Sequence, residues 1–379
     1  METQSEQNLE TKIVQPKKKI FLIILISGII VIVVVAVVLG VILGTKKKEN
    51  NNNNNYSKVN IVNSYDNTDE LIQKFPVGNP TTVKPGLESK IQNRLLTGFE
   101  NWNRGFEAWK AWGNILYTSD SIYNVHGARL TLAQYQQSMD ITLKKTKILM
   151  GDFHNMLICD EFTAIYYDIT TIVGERQVPG TVMEFVKFKD YGDPLGTRVV
   201  EGWGGTNDTS YNGMTNFQGP EEKSFQDAQI NYMLNYQIPS TSDLKEKYII
   251  KYPTIYIDDN AEQLLNIILE GFDSWNNGIN SLLTWIDSNY DTNALSYSLK
   301  KVSRSISEYK NEMEELFQKY NIKKIYFDNV LIRDNWAGLH YRFTNKTLET
   351  NEITVGDRME FLKFELIGSV WKIVASWIK

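Results

Sequence analysis

The feature that most limits what this chain can fold into is that most of its length says nearly the same thing twice. Gly98-Phe99-Glu100-Asn101-Trp102-Asn103-Arg104-Gly105 returns as Gly271-Phe272-Asp273-Ser274-Trp275-Asn276-Asn277-Gly278. Val182-Met183-Glu184-Phe185-Val186-Lys187-Phe188 returns as Arg358-Met359-Glu360-Phe361-Leu362-Lys363-Phe364, and Arg198-Val199-Val200-Glu201-Gly202-Trp203 as Lys372-Ile373-Val374-Ala375-Ser376-Trp377. The offsets are 173, 176 and 174, in the same order, and Lys74-Phe75-Pro76 has an echo in Lys251-Tyr252-Pro253. Solenoid repeats recur every ~20–50 residues. A spacing this long means that one domain of ~130 residues occurs in tandem.

Each copy reads as helices first and strands after. Ile91, Leu95, Phe99, Trp102, Phe106 and Trp109 fall three or four apart, the spacing of one helical face. They predict a helix over 87–112, with a counterpart over 261–287, and second helices over 130–150 and 296–320. Strands follow over 153–159, 163–173, 182–189 and 197–204, and over 322–332, 337–344, 354–366 and 370–378. They are rich in β-branched and aromatic residues and bounded by Gly, Pro and Asp. Segregated helices and strands specify an α+β class, with helices packed on one face of a curved antiparallel sheet. A further helix is expected over 221–236 in the connector.

Residues 20–44 are uncharged and almost wholly aliphatic, long enough as a helix to cross a ~30 Å hydrocarbon layer. The expected layout is a tail (1–19), a transmembrane helix (20–44), an Asn-rich tether (45–69), a first domain (70–206), a connector (207–244) and a second domain (245–379). Lysines flank the span equally, so the positive-inside count is a tie. Its N-terminal position points to a single-pass signal anchor, tail in the cytosol and both domains lumenal or extracellular. The partner of residues 20–44 is then the lipid bilayer. Ala36, Gly40 and Gly44 form a small-residue line that suits a homodimer. The two domains are expected to pair within the chain, because an exposed sheet face of this kind marks an interface.

Composition narrows the function classes. The net charge is −5, so no basic field exists for nucleic acid. One cysteine, Cys159, closes no intrachain disulfide, and three histidines, His126, His154 and His340, supply no rich metal centre. No phosphate loop or nucleophile elbow occurs. No cofactor and no metal are expected.

In copy one, Tyr123-Asn124-Val125-His126-Gly127, Glu184-Phe185-Val186-Lys187-Phe188-Lys189-Asp190 and Arg198-Val199-Val200-Glu201-Gly202-Trp203 carry a resemblance. They are similar to the aromatic–His–Gly step, the acidic–aromatic–basic–aromatic strand and the last strand of the SnoaL-like group within the nuclear transport factor 2-like superfamily. The resemblance covers most of residues 87–204 and, more weakly, 261–379. It implies a cone-shaped fold in tandem, and an acid/base role at the acidic position, which is usually Asp in the family's cyclases and is Glu in both copies here. Copy two reads Tyr290-Asp291-Thr292-Asn293-Ala294 at the His–Gly step and lacks the histidine.

Strand alternation puts Val182, Glu184, Val186 and Phe188 on one face. A carboxylate among such neighbours is partly desolvated, which suits it to acid/base work. Glu184 and His126 are the candidate catalytic residues, with Asp168, Tyr123 and Trp203 as candidate ligand contacts. Two functional classes stay open. One is a ligand-binding or scaffold module; the other is a cyclase, isomerase or dehydratase working on a small apolar ligand in the first cone.

Overall fold

The computed structural model describes residue 61 and residues 68–192, 195–205, 214–252, 255–256, 260–297 and 303–378. These belong to one compact unit, Asn50–Lys379. The repeated octapeptide explains how each half begins. Its first glycine leaves room for a ring: a Cβ on Gly98 would lie 2.4 Å from the Trp112 ring, and one on Gly271 2.6 Å from that of Trp285. Its last glycine, Gly105 or Gly278, adopts φ of 109° or 103°, a left-handed conformation that side chains resist. The single long helix expected over 87–112 is therefore two, Leu87–Asn103 and Phe106–Leu116. Likewise Ala261–Asn276 is followed by Ile279–Asn289.

The motif's middle residues tie the helix to the sheet. Trp102 Nε1 donates to the Ile148 carbonyl at 3.0 Å and Trp275 Nε1 to that of Ile322 at 3.1 Å. Asn103 brackets the backbone of Met150, accepting at 2.7 Å and donating at 3.0 Å. Asn276 brackets Lys324 in the same way, at 2.9 and 2.8 Å. Phe99 stacks on Phe153 at 4.3 Å and Phe272 on Phe327 at 3.9 Å.

The strands are β1 (Val77–Pro80), β2 (Tyr117–Val125), β3 (Ala128–Thr131), β4 (Lys147–Cys159), β5 (Phe162–Val173), β6 (Arg176–Asp190) and β7 (Thr197–Gly204). The second half has β8 (Ile255–Tyr256), β9 (Tyr290–Tyr297), β10 (Ser303–Ser305), β11 (Tyr320–Arg333), β12 (Trp336–Thr347), β13 (Ile353–Ile367) and β14 (Val370–Ile378). The first sheet runs β1-β4-β5-β6-β7-β2-β3 and the second, read from its far edge, β8-β11-β12-β13-β14-β9-β10. The two orders are the same.

Two parts of the expected architecture are corrected. The sheets are mixed rather than antiparallel: β1 pairs with β4 and β2 with β7 in parallel, as do β8 with β11 and β9 with β14. Among the described residues no helix is long and apolar enough to cross a membrane, and the membrane-crossing helix is withdrawn from the architecture. Residues 20–44, with Ala36, Gly40 and Gly44, lie outside the described residues. The second helices are also shorter than expected, Leu132–Leu143 and Ile306–Lys319. Thr131 with Gln134, and Ser305 with Glu308, form capping boxes that set where they start.

Each sheet's inner face packs on its helices around its own aromatic core. The outer faces pack on each other. Leu157, Ala164, Met183, Phe185 and Trp203 of the first sheet form one apolar cluster with Leu331, Trp336, Met359 and Phe361 of the second. At its centre a Cβ on Gly338 would lie 2.8 Å from the Ala164 Cβ. Two charged groups cross this layer: Arg333 Nη1 meets both carboxylate oxygens of Glu88 at 2.6 Å, with both side chains buried. On the second sheet Asp328 pairs with Arg342, and His340 Nε2 lies 2.7 Å from Asp357 Oδ2. Cys159 is buried in the layer between the sheets, and burial pushes its thiol up to about 12. The Pro220–Asn235 helix straps the halves: Phe225 lies under the Arg129 guanidinium at 4.1 Å, while Met233 packs with Ile325, Tyr326 and Val355.

Candidate active site

Each half aims one glutamate at its own interior. In the first, Glu184 on β6 is half-buried and accepts a hydrogen bond from the Tyr167 hydroxyl at 2.9 Å. Its cross-strand neighbour is Gly204. The missing side chains of Gly202 and Gly204 let Tyr123 lie across β7: a Cβ on Gly202 would be 2.3 Å from the Tyr123 ring, and one on Gly204 3.1 Å from its hydroxyl and 3.3 Å from Glu184 Oε1. Tyr123 stacks on Tyr135 at 4.7 Å, and Tyr135 meets Trp109 edge-on at 5.6 Å. Burial, and then the nearby Glu184 charge, hold the phenols of Tyr117, Tyr123, Tyr135 and Tyr167 above the ordinary tyrosine range. The first cone packs aromatic side chains around its carboxylate.

The other residues singled out in the first cone are placed differently. His126 takes φ 47° in the turn between β2 and β3, beside Gly205. Asp168 points to the opposite face of β5 from Tyr167, where its Oδ1 lies 2.7 Å from His154 Nε2. Trp203 also faces away from Glu184, into the layer between the sheets, 5.4 Å from Tyr252 and 6.2 Å from His340. Glu184 and Tyr123 thus meet over Gly204 at the end of β7, His126 lies beside Gly205, and Asp168 and Trp203 face away.

The second half keeps the glutamate and opens a space before it. A cavity of about 420 Å³, its open mouth included, has Trp275, Met313, Ile322 and Phe343 among its apolar walls. Its polar groups are Tyr309, Lys324, Tyr341, Arg358 and Glu360. Glu360 is buried, and the Tyr341 hydroxyl donates to its Oε2 at 3.3 Å. Burial raises the Glu360 carboxyl above the usual range against the opposing pull of Lys324, Arg358 and the Tyr341 hydrogen bond. Burial likewise pushes the Lys324 ammonium down to about 8, although the Glu360 charge works the other way. Acid and base are both drawn toward their neutral forms, the condition under which each can exchange a proton near neutral pH.

No protein-family model matches this chain, and no curated protein does. Its neighbours among solved structures include proteins described as SnoaL-like polyketide cyclases, as ketosteroid isomerase-like and, for AclR, as a hydroxylase. AclR from Streptomyces galilaeus is 16% identical over 31% of this chain and 88% of its own, with a TM-score of 0.27. A SnoaL-like polyketide cyclase from Agrobacterium tumefaciens is 14% identical over 31% and 89%, with a TM-score of 0.26. A ketosteroid isomerase-like protein from Erwinia carotovora atroseptica is 10% identical over 32% and 96%, with a TM-score of 0.27.

Lys324 is the residue that sequence reasoning missed. The two asparagine brackets put it where the first half has Met150, and aligning the copies at that offset would have exposed the exchange. Among the described residues no cluster of His, Cys, Asp or Glu could hold a metal.

The buried ammonium has a measurable cost. The unfolded lysine titrates near ~10.4, so between about 8 and that value the unfolded chain holds more protons and stability rises with pH. Lys324→Met should therefore stabilise the protein at pH 7 by about 1–2 kcal/mol, less than the full shift because the side chain is only half-buried. Urea unfolding at pH 7 and again near pH ~10.5 checks it: the advantage should fade at the higher pH. An equal gain at both would show that packing, not charge, sets it.

Proposed function

We propose that the protein binds a small apolar carbonyl compound in the second cone, with Glu360 placed to move a proton on the bound ligand. One observation carries this reading: Glu360, Tyr341 and Lys324 line a single aromatic-walled cavity, while the glutamate of the first cone is packed among its own tyrosines. Aromatic and aliphatic walls suit an apolar body, and a phenol, an ammonium and a carboxyl suit one polar oxygen. A carboxyl whose burial favours the protonated form can donate to a carbonyl oxygen when protonated and, once ionised, accept a proton from the neighbouring carbon. In this reading the two halves arose by duplication of one cone and stay paired through their outer sheet faces, with the first as support.

Acetophenone is a suitable probe. Saturation-transfer NMR on the full chain should detect its binding, and Met313→Trp, which places a ring in the cavity, should abolish it. Glu360→Gln should retain binding but slow any exchange of the methyl protons of acetophenone with deuterated solvent by 10²–10⁴-fold, the usual worth of a positioned acid/base. Binding that survives Met313→Trp, or no binding at all, overturns the assignment.

A further inference from the structure

Lys324 is set apart from every other lysine in the described structure by its surroundings. Its Nζ lies 4.6 Å from the ring centroids of Phe272 and Trp275 and 4.7 Å from that of Tyr341. It makes no hydrogen bond or ion pair among the described residues, and it borders the cavity that holds Glu360. The fold does not need this amine. Met150 occupies the matching place in the first half, with its backbone bracketed by Asn103 as Lys324 is by Asn276, so an apolar side chain builds the same junction. A charged group kept in an aromatic cage, without a partner and without a structural task, is available for chemistry.

We propose that Lys324 is a carbonyl-capturing amine, which takes small apolar aldehydes or ketones from the cavity as a Schiff base while Glu360 handles the protons. The inference rests on the reading of the second cavity as the binding site and goes further in naming a covalent step. The neutral Nζ lone pair attacks the carbonyl carbon, and the π pair moves to oxygen, which takes a proton from the Glu360 carboxylic acid. The Glu360 carboxylate recovers a proton from nitrogen, leaving a neutral carbinolamine. That proton then returns to the carbinolamine oxygen, the C–O bond breaks, and water departs as nitrogen forms the C=N bond. Amine, carbonyl and carboxylic acid become a protonated Schiff base, water and a carboxylate. With its ammonium pushed down to about 8, roughly one Lys324 in ten is neutral at pH 7, against fewer than about one in a thousand for a surface lysine.

The test uses the full chain, benzaldehyde and cyanoborohydride, which reduces the Schiff base to a stable benzylamine, read by intact mass and peptide mapping. Lys324 should be labelled at least about ten-fold faster than any other lysine at pH 7, with a rate that saturates in benzaldehyde and levels off above pH ~8. Lys324→Met should leave only slow labelling spread over the surface. Glu360→Gln removes a charge that favours the ammonium, so more amine is neutral; labelling should nonetheless slow by about ten-fold or more if Glu360 carries the protons. Unslowed labelling overturns the role of Glu360. Acetophenone binding without preferential labelling of Lys324 overturns the amine capture and leaves the cavity reading standing. Loss of both overturns both.

Discussion

Arg333→Met should cost about 3–5 kcal/mol of stability, the usual penalty for leaving one member of a buried ion pair alone. Arg333 is fully buried on β11, and Glu88 lies in the first turn of the Leu87–Asn103 helix of the other half. The guanidinium also donates to the Ile158 carbonyl at 2.5 Å. Glu88 keeps two backbone donors, Lys84 at 2.6 Å and Asp160 at 3.1 Å, but its charge would face an apolar layer. The pair itself is an imperfect solution, since Nε and Nη2 of Arg333 are buried without partners. The double change Glu88→Gln with Arg333→Met should therefore recover most of the loss. Denaturant unfolding of both variants decides the matter: a double variant as unstable as the single would mean that the pair stabilises through something other than charge balance.

Gly338→Ala should also destabilise, by about 1–3 kcal/mol, because the added methyl overfills the layer between the sheets. Its Cβ would lie 2.8 Å from that of Ala164 and 3.2 Å from Leu157 Cδ1. The leucine end can move; the alanine cannot without its strand. Gly338→Val should cost more. The exchange Ala164→Gly with Gly338→Ala conserves the volume across the contact and should return the melting temperature to near that of the parent. Failure of the exchange to rescue would place the strain in the β12 backbone rather than in the meeting of the two residues.

The repeat was legible because its residues do structural work that tolerates few alternatives: two glycines for a close ring and a reversed turn, a tryptophan and an asparagine for the strand. Glu184 and Glu360 were legible as inward-facing from strand alternation alone. The parallel pairings of β2 with β7 and β9 with β14 were not, since they join segments about eighty residues apart and leave no local pattern. The segments 117–125 and 290–297 escaped notice as strands because Ser, Thr, Asp and Asn interrupt their alternation. The asymmetry of the interiors was hidden for a different reason. Both halves have the same tyrosines, and packing decides that Tyr123 crosses Gly202 in the first; the lysine in the place of Met150 shows only when the copies are aligned residue by residue. The histidine at position 126 drew attention to the first cone and away from the second, where Glu360 borders a cavity.

The meeting of Ala164 with Gly338 bears on which surfaces recognise each other. A chain built from two similar cones has the option of pairing like with like, first with first in a neighbouring molecule, and assembling without limit or at random. Two alanines facing each other at that spot would bring β-carbons into the 2.8 Å approach that a Cβ at Gly338 would create, closer than such atoms tolerate. An alanine against a glycine fits. One methyl group thus disfavours the pairing of first halves with each other, and the connector makes the nearest second half the one in the same molecule.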